Sequence, residues 1–148
     1  MADTTFRKVT TEDIDKFIEI EKTAVGSKTY SGILDRDEAR DEIENNEVYF
    51  IMKDNEIVGS TEYQIKSPNH GYLGGLVVFP NFQGQGIARE AAKFRLEKLK
   101  DMERVDLVTH PRNSKIIILY LSLGFYIESW KDNYYGDGEP RLVLVRQK

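Results

Sequence analysis

A chain of 148 residues, 40% hydrophobic and 31% charged with a formal net charge of −4, has the composition of a soluble globular protein and the length of one domain, residues 1–148. Both signs of charge are mixed along it, which argues against a nucleic-acid tail; no apolar run reaches the roughly 18 residues of a membrane span, and charges throughout the first twenty residues leave a cytoplasmic protein as the expectation. There is no cysteine, which excludes disulfides, Cys-based metal sites and a Cys nucleophile, and with only His70 and His110 no metal site is expected.

Phe6 to Val9 reads as a first strand. Thr10 or Thr11 caps the helix that follows, with Glu12, Asp13 and Asp15 in its first turn, where the helix dipole favours anions. Ile14, Phe17, Ile18, Ile20 and Val25 recur at helical spacing. A loop with Gly26 and Gly32 leads to a charged helix over Asp35 to Asn46. Val48 to Met52 and Glu56 to Ile65 form a hairpin around a KDN turn. Tyr72 to Phe79 is the next strand, in which the pair Gly74-Gly75 signals a bulge or a close backbone approach, and Pro80 ends it.

A helix then runs from the glycines of QGQG to about Lys100, with Ile87, Ala88, Ala91, Ala92, Leu96 and Leu99 on one face. Arg95 falls on that same face, which the pattern does not explain. Val105 to Thr109 is a strand, Asn113 to Leu123 a helix, and FYIESW and RLVLV are final strands around the loop KDNYYGDGEP. Hairpins together with one strand–helix–strand unit predict an α/β (α+β) fold, with a mixed sheet and helices on both faces. The helix IIILYLSL is apolar nearly all round, so more than the sheet has to cover it: the last strands, a ligand or a partner subunit.

The turn Gln83-Gly84-Gln85-Gly86-Ile87-Ala88 joins a strand to a helix, a geometry that suits a phosphate group, because the first N–H groups of a helix have no internal partner. It is not a P-loop, since no Lys-Ser or Lys-Thr follows, and Arg89 stands where a dinucleotide fingerprint needs its third glycine. A plain tight turn remains the competing reading.

Two further segments follow in order. The strand ends Val78-Phe79-Pro80 before Gln83, Gly86 and Ala88; then come Asn113, Leu119-Tyr120 and Gly124-Phe125. Together these resemble the GNAT superfamily of acetyl-CoA-dependent N-acetyltransferases, with the tail NYYGDGEPRL similar to members that acetylate protein N-termini. The sequence departs from the family pattern at Ile116, where alanine is usual, and at Val108, where some relatives carry a catalytic Glu or His.

The resemblance implies a largely antiparallel sheet of six to seven strands with a splayed central pair and about four helices. It implies transfer of an acetyl group from acetyl-CoA to a primary amine by direct attack in a ternary complex, without a metal. The N–H groups of Gln83, Gly84, Gln85, Gly86, Ile87 and Ala88 would hold the pyrophosphate. The backbone of Leu76, Val77 and Val78 would hold the pantetheine arm, with the Val78 N–H facing the oxyanion and Asn113 opening the later cofactor segment. Tyr120 would protonate the leaving thiolate. Glu62, Tyr72 and His110 are alternative bases, and a water chain is a fourth. Tyr30, Tyr134 and Tyr135 would shape the acceptor site for a peptide N-terminus or a small amine, and the chain would act as a monomer or homodimer. A non-catalytic acyl-CoA sensor or scaffold is the rival reading; it would keep the glycine turn but have no need of Tyr120.

Overall fold

A computed structural model describes residues 4–24 and 32–148. Among these residues are seven strands, β1 (Thr4–Lys8), β2 (Glu47–Lys53), β3 (Glu56–Ser67), β4 (His70–Val78), β5 (Arg104–Thr109), β6 (Tyr126–Lys131) and β7 (Arg141–Gln147), and four α-helices, α1 (Ile14–Lys22), α2 (Arg36–Asn45), α3 (Ile87–Lys98) and α4 (Ser114–Ser122). The element types match the sequence expectation; the ends move by one to three residues, with α1 ending at Lys22, β4 starting at His70 and α3 ending at Lys98. Tyr30 and Val25 lie outside the described residues.

Local chemistry explains the boundaries. Asp35 caps α2, its carboxylate accepting from the Glu38 N–H at 2.9 Å. Asp54 and Asn55 both adopt positive φ in the β2–β3 turn, a conformation Asn and Asp tolerate. Before α1, the Asp13 carboxylate accepts from the Thr10 N–H at 2.9 Å, and a 3-10 turn over Thr11–Asp13 leads in.

The strands form one sheet in the order β1-β2-β3-β4-β5-β7-β6, antiparallel except for β4 and β5. Val48 and Phe50 of β2 and Val77 of β4 meet α1 and α2 through Phe17, Ile20, Ala39 and Ile43 on one face. On the other face Ile51, Val58, Tyr63 and Leu73 meet α3, and Leu107 and Leu144 meet Tyr120 of α4. Phe50 and Ile20 are fully buried, each contributing about 1.5–3 kcal/mol through removal from water. On α4 only Tyr120 is buried; Ile116, Ile117 and Leu119, with Leu123 just past the helix, pack partly against the core, and Ile118 and Leu121 are exposed. Among the described residues no helix is long and apolar enough to cross a membrane.

Two irregularities position the site. Between Thr61↔Leu76 and Tyr63↔Leu73, Glu62 of β3 stands opposite Gly74 and Gly75 of β4, a β-bulge. And β4 pairs with β5 only from His70↔Arg104 to Leu73↔Leu107; beyond these residues the two parallel strands part.

Candidate functional site

The bulge is built around a carboxylate. A Cβ on Gly74 would lie 2.6 Å from Oε1 and 2.7 Å from Cγ of Glu62, so the glycine makes room for this side chain. Glu62 Oε1 in turn accepts from the Gly75 N–H at 3.3 Å. The glycine pair therefore does two things: it bends β4 away from β5 and it seats Glu62.

Beyond the bulge, β4 keeps β3 on one side only. The Phe79 N–H donates to the Val58 carbonyl at 2.9 Å, so by strand alternation the N–H and C=O of Val78 point away from β3, toward the side that β5 has left. Leu76 shares that orientation. Gln83 Nε2 donates to the Val78 carbonyl at 3.0 Å and ties the following loop to the strand end.

In that loop Gly84 and Gly86 both have φ of +81°, and a Cβ at either would meet nothing within 4 Å. Glycine is required there for backbone conformation, and the space it leaves is open. Gly86 is the N-cap of α3, so the unpaired N–H groups of the helix's first turn face that space. Lys53 Nζ donates to Gln85 Oε1 at 2.7 Å, which sets a cation beside the turn. Sequence reading did not find Lys53, because it lies 32 residues before Gln85 in the chain.

The gap between β4 and β5 opens into a cavity of about 400 Å³. Glu62, Tyr72, Gly74, Gly75 and Leu76 line it from the sheet, Thr109 and Asn113 from the end of β5, and Ile116 and Tyr120 from α4. It crosses the sheet: Tyr120 belongs to the α3–α4 side, and Glu21, Glu38, Glu42 and Asn46 line the α1–α2 side.

Arg95 explains how the two sides are held apart. It is completely buried. Nη1 donates to the carbonyls of Glu62 at 3.3 Å and Gly74 at 3.4 Å, Nε donates to the Ala91 carbonyl at 3.3 Å, and Nη2 donates to the Tyr120 hydroxyl. The residue that broke the apolar pattern of α3 thus joins β3, the bulge of β4 and α4. Since the Tyr120 oxygen accepts from Arg95, its own O–H remains a donor.

On the α1–α2 side, Glu62 sits among other carboxyls. Burial, then the neighbouring Glu42 carboxyl and the more distant Glu21, hold the Glu62 pKa well above the ordinary carboxylate range; the Gly75 N–H opposes them. Its Oε2 is buried, and once Glu62 is protonated its O–H has the Glu42 carboxyl as acceptor. Asn46 Nδ2 donates to Glu42 Oε2 at 2.7 Å, while the buried Asn46 Oδ1 has no partner among the described residues.

Tyr72 and Tyr135 meet on this side. Burial and the phenols of Tyr135 and Tyr134 push the Tyr72 hydroxyl far above its usual range. Tyr135 lines the cavity and Tyr134 packs edge-on against it at 4.7 Å, both partly exposed. His110 is separate. It is buried rather than in a surface turn, Nε2 bonds Glu139 Oε1 at 2.9 Å, and Nδ1 accepts from the Arg112 N–H at 3.1 Å. With both nitrogens engaged, it ties the β5–α4 turn to the loop that carries Tyr134 and Tyr135.

The comparisons agree with this architecture. The family model described as "Acetyltransferase (GNAT) family" matches residues 14–125. No curated protein matches the sequence. Among solved structures, the ribosomal-protein-S18-alanine N-acetyltransferase from Escherichia coli superposes with a TM-score of 0.80 at 20% identity, over 98% of this chain and 94% of that one. Ard1 from Thermoplasma volcanium gives 0.78 at 22%, over 97% of both chains. A GNAT family acetyltransferase from Elizabethkingia anophelis with acetyl-CoA bound gives 0.76 at 18%, over 98% of both. At these identities the likeness is one of fold.

Proposed function

Since the chain belongs to the GNAT family of acetyltransferases, which draw their acetyl group from acetyl-CoA, we propose that this chain performs the transfer inside the gap between β4 and β5, with the donor entering from the α3–α4 side and a primary amine from the α1–α2 side. The N–H groups from Gln83 to Ala88 take the pyrophosphate, assisted by Lys53. The backbone of Leu76 to Val78, free of β5, adds the pantetheine amides as an extra strand would, and Asn113 borders the same gap.

An ammonium cannot attack. Glu62, whose surroundings raise its affinity for a proton, takes one from the arriving ammonium. The nitrogen lone pair then forms the C–N bond at the thioester carbonyl, whose oxygen gains charge and receives the Val78 N–H. As the C–S bond breaks, sulfur keeps the electron pair and receives the Tyr120 proton. The nitrogen loses a second proton, so that of its two one restores Tyr120 and one leaves to solvent. Products are the N-acetylated amine and free CoA thiol. Tyr72 and Tyr135 shape the amine entrance, and His110 holds the loop that carries Tyr135. On this reading residues 1–148 act as one catalytic domain in the cytoplasm, as a monomer or homodimer.

The observation that carries this reading is the cavity itself, crossed by Glu62 on one side and by Tyr120 on the other. A thermal-shift series with acetyl-CoA, CoA, ATP and NAD tests it. Acetyl-CoA and CoA at 100 times their Kd stabilise by about 2.7 kcal/mol, and ATP and NAD do not. Stabilisation by ATP or NAD in preference to CoA overturns the reading.

A further inference from the structure

Five of the large apolar side chains left exposed among the described residues gather on two elements: Ile118 and Leu121 on α4, and Tyr126, Ile127 and Trp130 on β6. Ile118 is 65% and Trp130 58% exposed, so the sheet and the last strands do not cover all of the apolar helix. The two elements are neighbours. Ile116 of α4 lines the gap toward β4, and Ser122 accepts from Arg89 of α3 at 2.9 Å, so Leu121, with Ile118 beside it, is turned the other way, toward β6. Ile127 and Trp130 stand opposite Leu144 and Leu142, which share a core with Tyr120, and therefore point to the α4 side of the sheet. At about 100 Å² for each half-exposed side chain, the patch presents on the order of 500 Å². That is at the upper end of what a monomer leaves open, and more than half of the about 800 Å² per partner in a stable dimer.

The outermost strand is β6, with β7 as its one strand neighbour among the described residues. Tyr126, Ser129 and Lys131 stand opposite Val145, Val143 and Arg141 and point away from α4. Glu128 is the extra residue of the bulge between Ile127 and Ser129. It points away from α4 too, since it reaches Arg104, on the face of β5 opposite the core residues Val105 and Leu107. The side chains from Tyr126 to Lys131 thus point away, toward, away, away, toward, away, an order that reads the same in both directions. An edge bulge discourages pairing with an ordinary strand, whose strict alternation matches only half of this pattern. A second copy of β6 run antiparallel matches throughout, because both bulges meet at the two-fold axis. Ile127 then faces Trp130 of the second copy, and Tyr126 faces its Lys131, an aromatic–cation pair to which Glu128 lies diagonal with the opposite charge.

We infer that this chain forms a symmetric homodimer, edge to edge through β6, with Ile118 and Leu121 of each α4 closing over the seam. None of the five apolar residues lines the cavity, so pairing leaves both cavities open, and the inference stands apart from the acetyl-transfer reading.

Analytical ultracentrifugation of the full chain from about 1 to 100 μM tests it, on wild type, Trp130→Glu and Ile118→Glu. Both side chains are mostly exposed, so neither substitution enters the core. The expected result is a wild-type dimer within this range and a dimer Kd at least about thirtyfold higher in each variant. The register has its own readout, because the chain contains no cysteine. Tyr126→Cys and Lys131→Cys proteins, mixed and oxidised, are expected to form a disulfide with each other faster than either does with itself. Leu34→Cys mixed with Ile65→Cys, two exposed apolar positions elsewhere, is expected to form none faster than free thiols do. A wild type that stays monomeric up to about 100 μM overturns the inference, and so does a dimer whose Kd is unchanged in Trp130→Glu and Ile118→Glu. Equal disulfide yield from the mixed and unmixed cysteine proteins overturns the strand pairing.

Discussion

Arg95 Nη2 of α3 donates to the Tyr120 hydroxyl of α4, and the same guanidinium holds the carbonyls of Glu62 and Gly74 through Nη1. One buried side chain thereby fixes the separation between the carboxylate and the phenol to which the transfer reaction assigns opposite protons. Arg95 is a positioning residue, and its effect on rate has to pass through Tyr120. Arg95→Met is expected to lower kcat about tenfold or more with little change in acetyl-CoA Kd, whereas in a Tyr120→Phe background the same substitution changes kcat far less. Steady-state kinetics on the four proteins of this double-mutant cycle make the comparison; additive losses would show that Arg95 acts only through general stability.

Glu62 trades stability for function. Its folded pKa is raised, so its contribution to stability is full below the unfolded carboxylate pKa, near 4.3, and is lost as pH rises through the folded value. The isosteric Glu62→Gln, which keeps the Gly75 hydrogen bond, is therefore expected to melt above wild type at pH 8, with the difference closing in acid. Activity moves the other way. Wild-type kcat/KM falls as pH drops through the raised Glu62 pKa, well above the ordinary carboxylate range, and Glu62→Gln loses about 10²-fold and with it this acid limb. Melting curves and pH–rate profiles of both proteins check the pair of claims.

At Gly86, φ of +81° makes any Cβ costly although nothing crowds it. Gly86→Ala is expected to destabilise the free protein by about 1–2 kcal/mol. It should also weaken acetyl-CoA binding, since the first-turn N–H groups of α3 lose their aim. Denaturant melts with and without CoA measure both; an unchanged Kd would separate the glycine turn from the donor.

His110 is expected to matter for acceptor binding and not for chemistry. Its nitrogens hold Glu139 and the Arg112 N–H, and Glu139 lies in the loop of Tyr134 and Tyr135. His110→Asn should raise the acceptor KM severalfold and leave kcat at a saturating amine within about threefold. A collapse of kcat at saturating amine would return His110 to the list of bases.

Much of this site is legible in local sequence. The positive-φ glycines of QGQG, the proline that ends β4 and the bulge at Gly74-Gly75 each follow from what glycine and proline do to a backbone, whatever surrounds them. What local patterning left open depends on contacts across long stretches of chain. Arg95 looked anomalous because its partners Glu62, Gly74 and Tyr120 come from three other elements. That Glu38 and Glu42 line the cavity was hidden because a charged helix such as RDEARDEIEN ordinarily reads as solvated; the signal was their spacing beside the buried pair Ala39 and Ile43. His110 fell after a strand, where exposure is usual, and only the fold brings Glu139 over it.

The central claim is that acetyl-CoA and an amine meet between Glu62 and Tyr120. Thiol release by wild type and Tyr120→Phe, with acetyl-CoA affinity measured by calorimetry on the same preparations, tests it most directly. The account predicts turnover by wild type, a kcat about 10²-fold lower in Tyr120→Phe, and equal acetyl-CoA Kd in the two. Wild-type protein that binds acetyl-CoA yet releases no thiol with any amine, or a Tyr120→Phe variant that turns over at the wild-type rate, would contradict it.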